Sequence, residues 1–133
     1  LSGVEINEDA IKKLQEANFK FYHDSILEFK LDYQRDMSLI KGVLIHINPE
    51  RLNDVYDLLY KASSRYICVI EYYNPTPVEV EYQGHHDRLF KRDFAGEIMD
   101  RFPDLQLVDY GFIYHRDNNF PKDDANWFLM EKR

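Results

Sequence analysis

The spacing of apolar residues changes along this chain between the period of a strand and the period of a helix. Residues 1–6, 19–23 and 36–41 carry short apolar or alternating runs that are typical of strands. Residues 66–71 form a continuous apolar run, which is typical of a strand covered on both faces. After Asn48 the spacing becomes helical, and one stripe collects Leu52, Val55, Leu58, Leu59 and Ala62.

The remaining segments extend this alternation of strands and helices. Asn7 is a helix cap before a short amphipathic stretch. Residues 72–86 read as a long connection, and residues 90–102 as a helix that Pro103 ends. The inward face of that helix is predicted to hold Phe94, Ile98, Met99 and Phe102. Residues 105–114 and 127–132 are predicted to form an antiparallel pair of strands, joined by the polar loop 115–126.

Strands that alternate with helices predict an α/β fold with a mostly parallel sheet and helices on both faces. The two C-terminal strands add an antiparallel pair. The chain has 133 residues, which suits one domain with a sizeable core. We therefore expect a single domain over residues 1–133.

Composition narrows the class of partner. With 17 Lys and Arg against 24 Asp and Glu, the net charge is −7, which argues against nucleic acid or an anionic membrane as the main partner. The single cysteine, Cys68, excludes an internal disulfide framework and favours a cytoplasmic setting. No apolar run is long enough to cross a bilayer. Cys68 lies in the middle of an apolar run, where inert packing is the expected role.

The junction at residues 41–50 is the sharpest change of local structure. Gly42 permits a tight exit from the preceding strand. Asn48, Pro49 and Glu50 together favour a helix start, because they supply a cap, a proline at the first position and an acid on the dipole. His46 stands among apolar neighbours in this turn, either as a general base or as a structural histidine. In open α/β sheets, ligands bind where parallel strands end, as one ends here.

Several polar residues lie where other strands are predicted to end. Glu5 and Asp24 each follow a strand, although Glu5 also fits an exposed acid beside the helix start, and Asp24 also fits ordinary turn chemistry. Glu71 ends the most buried strand, where it is placed to orient an amine or hydroxyl group. A basic and imidazole cluster suits a carboxylate or phosphate of a ligand, or else forms a solvated charged face; it contains His85, His86, Lys91, Arg92 and Arg116. No metal site is expected, since these histidines have no second ligand pair.

These residues carry a resemblance to a known family. Gly3-Val4-Glu5-Ile6-Asn7 and His23-Asp24-Ser25-Ile26 resemble the second and third strand ends of class I S-adenosylmethionine-dependent methyltransferases. The chain is most similar to the small methyltransferases associated with pseudaminic acid biosynthesis. The longer motifs behind this are Glu71-Tyr72-Tyr73-Asn74-Pro75, Gly84-His85, Leu89-Phe90-Lys91-Arg92-Asp93-Phe94-Ala95-Gly96-Glu97, Asp109-Tyr110-Gly111-Phe112 and Tyr114-His115-Arg116-Asp117.

The resemblance implies a Rossmann-like sheet, S-adenosylmethionine as the cofactor and a sugar of the nonulosonic acid class as the methyl acceptor. It implies an acid that binds the ribose and an Asp that contacts adenine. The implied cofactor-binding residues are Glu5, Ile6, Asp24, Ser25, Ile26 and Lys41. His46 and Glu71 are the implied catalytic residues, and the implied substrate-binding residues are Tyr72, Tyr73, Asn74, His85, Lys91, Arg92 and Arg116.

The sequence also departs from the family. The family begins with a central strand and a glycine-rich loop, whereas the five glycines of this chain are not clustered in that way. The chain opens at Leu1 without an initiator methionine, and we expect it to be a portion of a longer protein. The alternatives are that the two flanking strands pair directly, or that a second chain covers the gap.

Two functions follow from these patterns. The first is methyl transfer from S-adenosylmethionine to a small sugar acceptor, with the chain acting as part of a longer protein. The alternative is a non-catalytic binding or assembly module that has lost the cofactor loop, for which we expect a homodimer through the exposed edge of a strand. Methyl transfer requires alignment more than acid–base chemistry, which fits the lack of a catalytic triad.

Overall fold

The computed structural model describes residues 1–17, 20–82 and 87–133. The chain forms two compact units, residues 1–32 and residues 33–133, which we name unit 1 and unit 2. Phe19, His85 and His86 lie outside the described residues, so the predictions that fall on them stay predictions. The same holds for the single domain over residues 1–133.

Unit 1 is a strand–helix–strand unit. Strand β1 (Ser2–Glu5) and strand β2 (Lys20–His23) pair in parallel, and Glu5 lies opposite His23 in the register. Between them, α1 (Glu8–Leu14) begins at Asn7, whose Oδ1 accepts hydrogen bonds from the next turn. The predicted cap at Asn7 is therefore confirmed.

Unit 2 is built on a four-stranded sheet. In chain order it contains β3 (Arg35–Lys41), two 3₁₀ turns (Leu44–His46 and Pro49–Arg51), α2 (Leu52–Ala62), β4 (Ser63–Glu71), β5 (Val78–Tyr82), β6 (Asp87–Lys91), α3 (Phe94–Arg101), β7 (Leu105–Ile113) and β8 (Ala125–Lys132). The strand order is β3-β4-β8-β7. β3 and β4 are parallel, whereas β8 is antiparallel to both of its neighbours. Within the described residues β3 is hydrogen-bonded to β4 alone, and β1 to β2 alone.

The core of unit 2 lies between this sheet and the apolar stripe of α2, which packs against β3 and β4. Of the predicted stripe, Leu52, Val55 and Leu59 are buried. Tyr56 is buried as well; it was not among the predicted residues, although it lies on the same face, four residues after Leu52 and three before Leu59. From the sheet, the core receives Ile40, Ile67, Val69 and Met130.

The segment before α3 is where the sequence prediction is wrong. Val78–Tyr82 lies in the predicted connection, yet it forms a strand that pairs antiparallel with Asp87–Lys91. The predicted helix of residues 90–102 therefore begins later, since Phe90 and Lys91 belong to β6. Asp93 caps α3 by accepting a hydrogen bond from Gly96 N at 2.9 Å. The alternating Val-Glu-Val-Glu-Tyr is the signal of this strand, and the two prolines do not prevent it because they lie before its first residue.

The predicted fold class is confirmed as an α/β fold of Rossmann-like type with an antiparallel C-terminal strand pair. The absence of the family's first, central strand stays a prediction. Among the described residues, no helix combines the length and apolar character needed to cross a membrane.

Candidate functional site

The junction between β3 and α2 has the geometry that its sequence predicts. Gly42 adopts a positive φ of 63°, and its N–H donates to the Ile70 carbonyl at 3.0 Å, which ties the turn to the end of β4. A 3₁₀ turn follows at Leu44–His46. Asn48 Oδ1 then accepts from Glu50 N at 3.0 Å and starts the next turn. The chain thus reverses at the carboxyl edge of the sheet.

Glu71, the last residue of β4, holds this turn in place. One carboxylate oxygen, Oε1, accepts hydrogen bonds from Val43 N and Leu44 N, each at 3.0 Å. The residue is only 4 % exposed. Its second oxygen, Oε2, is buried, and no described residue is hydrogen-bonded to it. Glu71 therefore has one oxygen in a structural role and one oxygen available to a ligand.

The protonation of Glu71 is set by opposing effects. Burial raises its pKa from the ordinary 4.5 to about 7, even though the backbone N–H donors of the turn lower it. A carboxyl group that titrates near neutrality accepts or releases a proton at physiological pH. This property suits a general base, although structural carboxyl groups show it as well.

A pocket of about 200 Å³ lies at this edge of the sheet, and we name it the strand-end pocket. It lies where β3 and β4 end, where β7 ends and where β8 begins. Its walls are partly apolar, with side chains of Ile45, Ile70, Leu89, Ile113 and Ala125. Such a combination of apolar walls and a few polar groups is typical of small-molecule sites.

The polar lining comes from three segments of the chain. Lys41 and His46 come from the β3 junction, and Glu71 and Tyr72 from the end of β4. The third segment is the loop between β7 and β8, which supplies Lys122 and Asp123. The structure thus brings together three residues that the sequence singled out, namely Lys41, His46 and Glu71.

The three residues after Glu71 differ in whether they line this pocket. Tyr72 lines it, and the amino group of Lys91 lies 5.2 Å from the centroid of the Tyr72 ring. Tyr73, which is 41 % exposed, packs instead at 6.0 Å from the Phe128 ring. The Asn74 side chain donates to Thr76 and closes its own turn. Of the three predicted substrate residues in this motif, the pocket includes Tyr72.

The predicted basic cluster is divided among different contacts. Arg92 donates through Nε to both carboxylate oxygens of Glu97, each at 2.8 Å, while Tyr56 donates to the same carboxylate at 3.1 Å. This network holds α3 against α2, so the contacts of Arg92 have a structural role in the packing of these two helices. Arg116 is exposed in the β7–β8 loop and does not line the pocket.

In unit 1 the two predicted acids lie at neighbouring strand ends. Asp24 N donates to the Glu5 carbonyl at 3.1 Å, directly beyond the parallel pairing of β1 and β2. Glu5 Oε1 accepts from Ile6 N and Asn7 N at 2.9 and 2.8 Å, and Asp24 Oδ1 accepts from Ser25 N at 2.8 Å. No described residue bonds Glu5 Oε2 or Asp24 Oδ2, so each acid keeps one acceptor oxygen.

An open depression of about 570 Å³ adjoins Asp24 within the same unit. Aromatic side chains of Phe21, Tyr22 and Phe29 line it. Of the other predicted cofactor residues, Ser25 and Ile26 follow Asp24 in a turn that Ser25 Oγ closes by accepting from Leu27 N at 3.2 Å, and Ile6 is 64 % exposed. An acidic group beside aromatic faces is an arrangement that accommodates a purine.

Sequence reasoning missed Leu89, Lys122 and Asp123 as pocket residues. Lys122 and Asp123 occupy a polar loop without a motif, and the antiparallel return of β8 is what places that loop at the strand ends. Leu89 falls between the predicted connection of residues 72–86 and the predicted helix of residues 90–102, whereas the structure places it in β6. Among the described residues, no group of three His, Cys, Asp or Glu side chains is arranged to hold a metal.

Comparison with known proteins gives matches at the level of structure. No family model and no curated protein matches this sequence. The 1,6-didemethyltoxoflavin-N1-methyltransferase of Burkholderia thailandensis, solved with 1,6-didemethyltoxoflavin and S-adenosylhomocysteine, superposes with a TM-score of 0.73 at 13 % identity. A SAM-dependent methyltransferase of Methanosarcina mazei gives 0.71 at 9 %, and the magnesium protoporphyrin IX methyltransferase of Synechocystis PCC 6803 with bound SAM gives 0.64 at 16 %.

The chain has the fold of the SAM-dependent methyltransferases. The superpositions cover 98–99 % of this chain, but 60 % of the Burkholderia enzyme, 81 % of the Methanosarcina enzyme and 59 % of the Synechocystis enzyme. At these identities the likeness establishes the fold, and function must be argued from the site.

Proposed function

We propose that this chain is the greater part of an S-adenosylmethionine-dependent methyltransferase whose acceptor is a small sugar of the nonulosonic acid class, as in the pseudaminic acid pathway. The acceptor is inferred from the sequence motifs around Glu71, Lys91 and Arg116. The single observation that carries the cofactor assignment is the adjacency of Glu5 and Asp24 at parallel strand ends. A small intracellular metabolite as acceptor also fits the single cysteine and a cytoplasmic setting.

The two acids fit the nucleoside end of this cofactor. Ribose hydroxyls and the adenine amino group are hydrogen-bond donors, and Glu5 Oε2 and Asp24 Oδ2 are acceptors that no described residue bonds. Hydrogen bonds of this kind to charged groups contribute about 1.5–3 kcal/mol each. When bound, the cofactor supplies an activated methyl group, so the protein mainly has to align the acceptor.

Residues of the strand-end pocket serve the acceptor side in this proposal. Glu71 Oε2 accepts a hydrogen bond from an acceptor hydroxyl or amine and, when ionised, takes its proton. His46 lines the same pocket as a second base. The apolar walls exclude water from the group that Glu71 orients.

Calorimetry with S-adenosylhomocysteine tests the cofactor assignment on the chain as it stands. We expect binding, and we expect Glu5→Ala to weaken it by about tenfold, because a charge-assisted bond to ribose is lost. Glu8→Ala is the matched control, since Glu8 is an exposed acid in the first turn of α1. No binding to the unaltered chain would refute an autonomous enzyme, and equal effects of the two variants would refute the ribose assignment.

One observation supports the alternative of a non-catalytic binding or assembly module. Glu5 Oε1 already accepts from two backbone N–H groups at the start of α1, which is a sufficient structural reason for an acid at this position. The module predicts no S-adenosylhomocysteine binding together with a stable dimer. Sedimentation at several protein concentrations, run beside the calorimetry, distinguishes the two functions.

A further inference from the structure

The strand-end pocket contains two lysines whose charges the described residues leave unpaired. Lys41 and Lys122 both line it, and neither amino group makes an ion pair or hydrogen bond with a described residue. The chain as a whole carries a net charge of −7, so two such lysines at one pocket are a local exception. A positive group at a pocket mouth favours an anionic ligand.

The same pocket is lined by a buried hydrogen-bond acceptor, Glu71. Glu71 is more than nine-tenths buried, and its Oε2 has no hydrogen-bond partner among the described residues, while Oε1 is held by Val43 N and Leu44 N. A buried carboxylate oxygen without a donor is costly. A ligand hydroxyl or N–H that reaches Oε2 removes this cost, so the pocket favours a ligand that carries a donor group.

We propose that the strand-end pocket binds a hydroxy acid by two points, with a ligand hydroxyl or amino group on Glu71 Oε2 and the ligand carboxylate on Lys122, assisted by Lys41. Lys122 is then the residue that selects acids over neutral sugars. This inference rests on the proposed function only for the statement that the bound acid is the methyl acceptor. The binding itself depends on the pocket alone.

One feature of the lining favours a carboxylate over a phosphate. Asp123 follows Lys122 directly and lines the same pocket, so its carboxylate repels a doubly charged group more than a singly charged one. The volume of about 200 Å³ is smaller than the roughly 300–1,000 Å³ of sites for drug-sized ligands, which limits how much of a sugar acid the pocket can hold. The pocket is therefore large enough for one end of a sugar acid.

Ligand-observed NMR on the full chain tests this with N-acetylneuraminate, its methyl ester and inorganic phosphate. We expect the acid to bind about fivefold more tightly than the ester, as an exposed ion pair allows. Lys122→Gln should reduce acid binding to the level of the ester. Lys61→Gln, an exposed lysine of α2 that does not line the pocket, should leave it unchanged. Asp123→Asn should strengthen acid binding.

The outcomes separate this proposal from the methyltransferase proposal. Equal binding of acid and ester, an unaltered affinity in Lys122→Gln, or no binding of either probe would overturn the two-point site. Competition by phosphate as strong as that by the acid would overturn the carboxylate assignment. Titration of the same samples with S-adenosylhomocysteine tests the proposed function separately, because those contacts belong to Glu5 and Asp24.

Discussion

Glu5 in unit 1 and Glu71 in unit 2 are both acids at the end of a parallel strand, and both use Oε1 to accept from two successive backbone N–H groups. Glu5 accepts from the two residues that follow it in the chain. Glu71 accepts from Val43 and Leu44, which precede it by 28 and 27 residues. Glu5 is half-buried, whereas Glu71 is 4 % exposed.

The difference shows that the same pair of hydrogen bonds has different consequences. The bonds of Glu5 close a local turn that water can also satisfy, so they contribute little to folding. The bonds of Glu71 join distant segments where water is largely excluded, and the cost of burial appears in its raised pKa. Glu71 therefore links two distant segments of unit 2 and also titrates near neutrality. Glu5 makes only local hydrogen bonds, which are exposed to solvent.

The largest expected effect is the loss of stability in Glu71→Ala. At about pH 5, where Glu71 is mostly neutral, removal of the side chain leaves Val43 N and Leu44 N without their acceptor, which costs about 2–4 kcal/mol of unfolding free energy. Urea denaturation measures it. Glu71→Gln keeps an acceptor oxygen and should lose about 1 kcal/mol or less. Equal losses in both variants would contradict the role of these bonds.

A somewhat smaller effect should appear as pH dependence. The folded pKa of Glu71, about 7, lies above its ordinary value of 4.5, so the folded state binds more protons between these values. The contribution of Glu71 to the unfolding free energy therefore falls as pH rises through this window. Relative to Glu71→Gln, the unaltered chain should lose roughly 2–3 kcal/mol between about pH 5 and about pH 7.5. If the difference in unfolding free energy between the unaltered chain and Glu71→Gln stays flat or rises with pH, the Glu71 carboxyl is solvated and its pKa is not raised.

The smallest effect is expected for Glu5→Ala in unfolding. Its bonds are local and exposed, and Asn7 still caps α1, so the unfolding free energy should change by about 0.5 kcal/mol or less. Urea denaturation beside Asn7→Ala, which removes the cap and should cost about 1 kcal/mol, provides the scale. A larger loss in Glu5→Ala than in Asn7→Ala would mean that Glu5, too, is a structural link.

The fold was largely predictable because its signals are local. Asn7 and Asn48 cap the turns that their sequence predicts, and the stripe from Leu52 to Leu59 faces the core. The hairpin of β5 and β6 was missed because two prolines and a glycine outweighed the alternation at Val78 and Val80. Tyr56 was missed although it lies on the same stripe, and its hydroxyl has a partner that the sequence does not reveal, Glu97, 41 residues away.

The candidate site was predictable only in part, because several of its residues are brought together from segments that are distant in the chain. Glu71 was found because strand ends are visible in the sequence, whereas Lys41 was named through the resemblance to the methyltransferases, as a residue that binds the cofactor. The link from Glu71 to Val43 and Leu44 was not found, since it requires the parallel register of β3 and β4. Lys122 and Asp123 belong to a loop whose position is decided by the antiparallel return of β8.

Gly42, which lines this pocket, is restricted by its backbone conformation. A Cβ built at Gly42 would meet no atom within 4 Å, so the positive φ, and not crowding, is what restricts this position. The lining of the cavity combines residues of the junction between β3 and α2 and of the end of β4 with Lys122 and Asp123 from a separate loop. Redesign of ligand preference in this scaffold should accordingly vary residues 122–123 and leave Gly42 and Glu71 unchanged.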